Sequence, residues 1–257
     1  MTEAETIHFQ TNNGDKLKDA IEAISHSNPK GFGIIEIDSN HGFKIYALNE
    51  SNTKVNGFMC LEPRNLIDFR CSKPLKNKLI NLKFLLRMLQ AIDEQSIVFY
   101  LEDDDSRLCF ESVTYPGIVL GVGLQVSNAN YEAFSSTMSP TWETIIPTDG
   151  LKTMIPEMIK SGFTQLVTVE RTSAETKFSI GETEWKFESN LEVSFNEGSE
   201  SGRRHHVEFL CSRVDSLKKA SSLAEQCSFG LLPSGDVVSQ FRFEEGNLAL
   251  IMFSLTH

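Results

Sequence analysis

Gly14-Asp15-Lys16-Leu17-Lys18-Asp19-Ala20-Ile21-Glu22-Ala23-Ile24 has a counterpart further along this chain of 257 residues. Leu17, Lys18 and Ile21 recur 134 positions later as Leu151, Lys152 and Ile155. In both copies the apolar residues fall at i and i+4, one stripe of a helix whose other side is charged. A second stretch behaves similarly. Leu86, Arg87, Ile92, Gln95, Leu101 and Phe110 precede Leu217, Lys218, Leu223, Gln226, Leu232 and Phe241 by 131 positions. A repeat of this length is a domain rather than a turn of a solenoid. The chain therefore reads as two copies of one α+β unit.

Working outward, four segments carry helical spacing. Residues 14–26 align Leu17, Ile21 and Ile24, and residues 81–92 align Leu82, Leu85, Leu86, Leu89 and Ile92. A third helix, residues 150–161, uses Leu151, Ile155 and Met158 after a Thr148-Asp149 start signal, and a fourth, 213–225, uses Val214, Leu217 and Leu223. Pro156 should cost the third helix a hydrogen bond unless that helix begins late. Strands are predicted at 6–10, 33–37, 43–48, 97–102, 107–111, 166–170, 183–187, 207–211 and 247–254, many alternating apolar and polar residues as half-buried antiparallel strands do. Residues 1–126 form the first domain and 142–257 the second. The polar stretch 127–141 between them is a linker, with Tyr131, Phe134 and Met138 as anchors onto the surface it crosses.

The formal charge of −11 conceals an asymmetry. The predicted helices carry −1, +2, +1 and +1 in order, leaving −14 on strands and turns. Lys73, Lys76 and Lys78 extend the basic run ahead of the second helix. Lysines gathered on one side of a sheet can hold a phosphate backbone without reading bases.

Other chemistry finds little support. Glu102-Asp103-Asp104-Asp105 reads as a solvated hairpin turn rather than a Mg²⁺ site. His205 and His206 begin a strand, where neighbours point to opposite faces and cannot share a metal. Cys60, Cys71, Cys109, Cys211 and Cys227 lack zinc-ligand spacing and read as buried free thiols. No nucleophile elbow, phosphate-binding glycine loop or zinc-protease helix is present, so neither catalytic residues nor metal nor cofactor is expected. With no membrane-length apolar run and an acidic N-terminus, the protein is expected to be intracellular, not secreted, and free of membrane partners.

One further set of residues bears on family. Gly42-Phe43-Lys44-Ile45-Tyr46-Ala47-Leu48-Asn49-Glu50-Ser51, Phe69-Arg70-Cys71, Asn81-Leu82, the helix 83–92 and the hairpin 97–110 are similar in order and spacing to the first domain of DNA sliding clamps, the family typified by proliferating cell nuclear antigen. Pro147-Thr148-Asp149-Gly150 through Phe178-Ser179, and Phe209 through Arg213, Lys218, Lys219 and the strand 248–253, resemble its second domain. The resemblance implies an α+β clamp fold: two similar domains, each with two helices packed on antiparallel sheets, forming part of a ring. It implies a processivity factor rather than an enzyme, encircling double-stranded DNA independently of sequence and tethering polymerases and other replication and repair proteins.

It also implies a clamp loader, assembly as a homotrimer, and work in the nucleus, or at a viral replication site for a viral clamp. By position, Lys18, Arg87 and Lys219 match basic sites of the lining helices, with Lys16, Lys83, Lys152, Lys160 and Lys218 as neighbours. Leu48, Asn52, Met138, Pro140, Met252 and Phe253 fall near the family's partner-peptide pocket. The chain departs from the family pattern at Thr153 and Pro156, where basic residues are usual, at Asn52, which replaces a histidine, and in its ending Phe253-Ser254-Leu255-Thr256-His257. These departures admit an alternative, one subunit of a heterotrimeric DNA-damage checkpoint clamp.

Overall fold

The computed structural model describes residues 6–26, 30–49, 54–92, 95–101, 106–127, 140–162, 164–172, 174–188, 205–243 and 247–253, without the side chains of the last six. The chain divides into two units, Met1–Ala133 with Arg242–Ala249, and Phe134–Phe241 with Leu250–His257. Unit 1 runs β1 (Ile7–Thr11), α1 (Gly14–His26), β2 (Phe32–Asp38), β3 (Gly42–Leu48), β4 (Val55–Leu61), β5 (Ile67–Cys71), β6 (Leu75–Asn81), α2 (Leu82–Ile92), β7 (Ile97–Leu101), β8 (Arg107–Ser112), β9 (Val119–Gly123) and β10 (Gln125–Val126). Unit 2 runs β11 (Trp142–Pro147), α3 (Thr148–Ser161), β12 (Leu166–Arg171), β13 (Glu175–Ile180), β14 (Thr183–Glu188), β15 (His205–Leu210), α4 (Val214–Ala220), β16 (Gln226–Leu231) and β17 (Val237–Arg242). The last strand is β18 (Leu248–Phe253).

Strand alternation builds each core. In β1, Ile7, Phe9 and Thr11 point inward while His8 and Gln10 are half-exposed. Phe9 stacks on Phe99 of β7 at 4.9 Å and meets Phe43 of β3 at 5.3 Å, so the two sheets of unit 1 share one aromatic cluster. In unit 2, Phe229 of β16 takes Phe178 of β13 edge-on at 5.2 Å, with Trp142 and Phe209 at 6.2 and 6.3 Å. Helix α1 buries Leu17, Ala20, Ile21, Ala23 and Ile24, α2 buries Leu82, Leu85 and Leu89, and the two pack on each other; α3 and α4 do the same. The predicted stripes are the buried ones, except that Leu86 and Ile92 are only half-buried.

The two units share one topology. β7 lies between β1 and β8 in unit 1, as β16 lies between β11 and β17 in unit 2. The order β6-β2-β3-β4 is matched by β15-β12-β13-β14, every pair antiparallel. Main-chain bonds between elements repeat as well. The Gly14 N–H donates to the Gln95 carbonyl at 2.7 Å, and that of Thr148 to the Glu225 carbonyl at 2.9 Å. The Leu82 N–H donates to Gly31, and that of Cys211 to Gln165, at 2.8 and 2.9 Å.

These equivalences correct the second repeat offset. Gly14 and Thr148 are 134 apart, as the sequence indicates, but Gln95 and Glu225 are 130 apart and Leu82 and Cys211 are 129 apart. The ungapped spacing of 131 is therefore not the register of the fold, and a one-residue slip in a strand exchanges its faces. Phe110 pairs with Phe99, whereas Phe241 pairs with Cys227; the counterpart of Phe110 is Ser239, opposite Phe229. Both phenylalanines are buried, on the same strand face but two residues out of step.

Two helices also differ from expectation. Helix α3 starts at Thr148, whose hydroxyl donates to the Ala224 carbonyl at 2.7 Å instead of capping, and continues through Pro156. Pro156 is half-exposed and Lys152, whose carbonyl loses its usual donor, is an exposed residue. Helix α4 spans seven residues, preceded by a 3-10 turn at Cys211–Arg213. It stops where the Ser221 and Ser222 hydroxyls turn back onto the Lys218 and Lys219 carbonyls at 2.7 and 2.9 Å.

Replacing Phe9 with Ala removes the ring packed against both Phe43 and Phe99. The loss should be about 3–5 kcal/mol, read as a lower denaturant midpoint for the unit 1 transition.

Candidate nucleic-acid interface

Each helix projects a different charge away from its core. With about 100° between successive residues, the positions opposite the buried stripe of α2 are Arg87 and Ala91, with Lys83 and Phe84 to either side, all exposed, and the helix contains no acid. Lys83 and Arg87 are one turn apart and form a continuous cationic strip. Its stem anchored, Lys83 lies across Gly31, whose φ of +71° carries the chain into β2. Exposed Phe84 flanks the strip, its N–H bonded to the Asn81 side chain at 2.9 Å.

The same construction places Asp15, Asp19, Glu22 and His26 opposite the stripe of α1. Lys16 and Lys18 occupy its two half-exposed flanks, and Lys18 is 3.3 Å from Asp15. The acids follow one another at i, i+4 and i+7, a pattern present in the sequence but hidden when charges are summed over the helix. On α3, Lys160 is outward among Asp149, Thr153 and Glu157, while exposed Lys152 sits on a flank, 2.9 Å from Asp149. Glu157 accepts the Trp185 indole N–H from β14 at 3.3 Å. On α4, exposed Lys218 and half-buried Lys219 stand on either side of the outward Asp215.

Because α3 includes Asp149, it is neutral, and the four folded helices carry +2 rather than +3. All eight predicted DNA-binding residues are thus on helices and outside the core, but only α2 offers an uninterrupted cationic face. Lys76 is exposed and Lys78 half-buried on β6, the strand leading into α2.

The remaining predicted residues are less informative. Leu48 ends β3 and is buried, and Pro140 is half-buried near Gly230. Asn52 and Met138 lie outside the described residues, as do the linker 128–139 and the acidic turn 102–105; Met252 and Phe253 are in β18, side chains undescribed. His205 turns inward toward Trp142, ring centroids 6.1 Å apart, while exposed His206 lies 3.4 Å from Glu208. All five cysteines are free, but Cys60 and Cys71 are half-buried rather than buried. Burial pushes the Cys60 thiol up to about 11, against the attraction of Lys44, so it is not a nucleophile near neutral pH. Among the described residues, no three His, Cys, Asp or Glu side chains converge as metal ligands, and no helix is long and apolar enough to cross a membrane.

Among the described residues, six strands end a sheet, β5, β9, β10, β11, β14 and β15, and two of them differ sharply in character. β9 is mostly apolar, with Val119 and the preceding Tyr115 and Ile118 exposed. β14 alternates exposed Glu184, Lys186 and Glu188 with Trp185 and Phe187, which turn toward α3; a Cβ on Gly150 would sit 2.4 Å from the Phe187 ring.

No protein-family model and no curated protein sequence matches the chain. Among solved structures, it is similar to the proliferating cellular nuclear antigen of Entamoeba histolytica, with a TM-score of 0.80 over 99% of this chain and 100% of that one, at 14% identity. The chain has the sliding-clamp fold, with its two similar domains.

Since α2 alone presents cations without acids, the double substitution Lys83→Ala/Arg87→Ala should elute from a heparin column at clearly lower salt. Lys16→Ala/Lys18→Ala, on flanks of an acid-faced helix, should change elution by less than half as much.

Proposed function

We propose that this protein is a subunit of a DNA sliding clamp, and the observation carrying that reading is the duplicated helix-pair-on-sheet unit with its uninterrupted cationic strip on α2. The fold belongs to a non-enzymatic scaffold, and the protein works as a tether. In a closed ring, topological linkage replaces tight binding. Lys83, Arg87, Lys218 and Lys219, with Lys16, Lys18, Lys152 and Lys160 beside them, then need only make exchangeable contacts to phosphates, each releasing counterions and none reading a base. The acidic remainder of the chain discourages adhesion to DNA from outside the ring.

Two of the sheet edges, β9 and β14, support ring assembly. An apolar edge such as β9 invites a further strand, and β14 offers a different edge for a second subunit. Pairing two different patches head to tail closes a ring when the rotation permits. Partner proteins, among them a loader and polymerases, dock through the pocket near Leu48, Asn52, Met138, Pro140, Met252 and Phe253, in the nucleus or at a viral replication site.

A second reading has its own support. The acidic outward face of α1 and the neutral α3 leave this subunit short of cations, as in a heterotrimer where other subunits supply them. Light scattering separates the two: a homotrimer has three times the 28.8 kDa mass of the chain, a heterotrimer subunit purifies as a monomer. For a homotrimer, Val119→Asp should convert trimer to monomer without unfolding.

Binding to DNA is tested on closed circles, from which a ring cannot slide. Replacing Lys83, Arg87, Lys218 and Lys219 by Ala should flatten the plot of log affinity against log salt by about 0.9 for each phosphate that is no longer neutralised. Unchanged retention and slope would remove the helices from the DNA-binding surface.

A further inference from the structure

Arg171 is the last residue of β12, and its side chain follows Val167 and Val169 into the interior of unit 2, where it is 1% exposed. Its Nη1 donates to the carbonyls of Thr172 and, at 3.2 Å, Glu175. Nε and Nη2 have no hydrogen-bond partner among the described residues. Those two nitrogens form the edge of the guanidinium that grips a carboxylate through parallel bonds. Burial pushes the guanidinium down from its ordinary range, with no counter-charge among its causes. A buried charge in this state is a standing cost to the fold unless something accepts its protons.

The surroundings add a second open donor. Arg171 is the register partner of His205, the first residue of β15, and the His205 ring lies 6.1 Å from that of Trp142, the first residue of β11. Trp142 is also 1% exposed, and its indole Nε1 is without a partner among the described residues. The other neighbour of Arg171, Thr176, is satisfied by the Thr144 hydroxyl at 3.0 Å. All three residues are strand termini, and the register of Arg171 with His205 and the contact of the His205 and Trp142 rings gather them at one end of the unit, where His205 is half-buried. Three open N–H-bearing nitrogens, two of them on a charged group, define the chemistry of this end.

We propose that Arg171, with the Trp142 indole reached across His205, is a receptor for a singly charged carboxylate, bound at the strand ends of unit 2. The single formal charge matches a monoanion, and the open Nε–Nη2 edge matches its two oxygens. This proposal is independent of the clamp reading, since it concerns the interior of one unit and neither helix face.

The probe is sodium acetate, titrated into the whole protein against sodium chloride at equal ionic strength, followed by ¹⁵N–¹H spectra. The chain has two tryptophans, Trp142 and Trp185, so one indole signal reports the site and the other serves as its control. The expected result is a saturable shift of the Trp142 indole and Arg171 Nε–H signals, with that of Trp185 unmoved. Arg171→Lys keeps the charge but lacks the paired edge, and should weaken acetate about tenfold, the loss of one charge-assisted bond. If Arg171→Lys does not fold, Trp142→Phe, which keeps the ring and removes the donor, should weaken acetate while leaving the Arg171 signal responsive. The proposal is overturned if acetate and chloride act alike, if both indoles move together, if neither substitution alters the affinity, or if inorganic phosphate saturates the site and acetate does not.

Discussion

A helix cannot satisfy its own first N–H groups, and in this protein that deficit ties each helix pair to its sheets. The first N–H of α1 reaches the carbonyl just ahead of β7, and the first N–H of α3 reaches the carbonyl just ahead of β16. The chain between those two points in each unit contains four strands or more and the second helix. Joining its ends by a main-chain bond holds the start of one helix beside the exit from the other. The apolar stripes then have one common surface to cover, and the opposite faces are obliged to be solvent-facing. Which charges stand outward follows from that geometry rather than from composition.

The consequence is an uneven surface. Summed charge makes the helices a basic minority in an acidic chain, but position separates them. Helix α2 has Lys83 and Arg87 one turn apart with no acid between, whereas α1 turns Asp15, Asp19 and Glu22 outward and relegates its lysines to the flanks. Local pairing reduces the field further, because Lys18 and Lys152 each lie next to an aspartate three residues earlier. Exposed pairs of this type contribute little to stability, at most about 1 kcal/mol, but they lower the net charge available to a phosphate.

Much of this was legible in the sequence, and the failures have physical causes. Helix α1 begins and ends where its periodicity says, because Leu17, Ile21 and Ile24 form a stripe with charged residues opposite. Helix α4 is shorter than its periodicity because Leu223 continues the stripe from a turn, buried there without being helical. Strand β10, two residues long, is too short to show a period, and β11 alternates in burial but turns Thr144 inward and Ile145 outward, so its residue types conceal the period. The offset of 131 failed for a subtler reason: Phe110 and Phe241 satisfy the same need, an aromatic ring on an inward strand face, from positions two residues apart. Sequence similarity detects what is buried, and only pairing establishes where. Arg171 carries a readable signal, since it continues the inward alternation of Val167 and Val169, but a charged residue at a strand end ordinarily counts as the start of a loop.

The likeness of fold at 14% identity is intelligible in the same terms. Topology is maintained by main-chain bonds and by apolar residues interchangeable within volume limits, so the surface is free to diverge while the scaffold persists. A clamp requires little of that surface. A ring that encircles its ligand gains retention from closure, and its contacts must be weak enough to exchange while it moves. A strongly cationic lining would add affinity at the expense of mobility. On the proposed reading, acids on α1 and neutrality on α3 are therefore compatible with the function, provided that α2 or neighbouring subunits hold the duplex near the centre. The constraint that selection would maintain is the closed arrangement of scaffolds, with the sum of charge around the ring bounded on both sides and its division among helices left free.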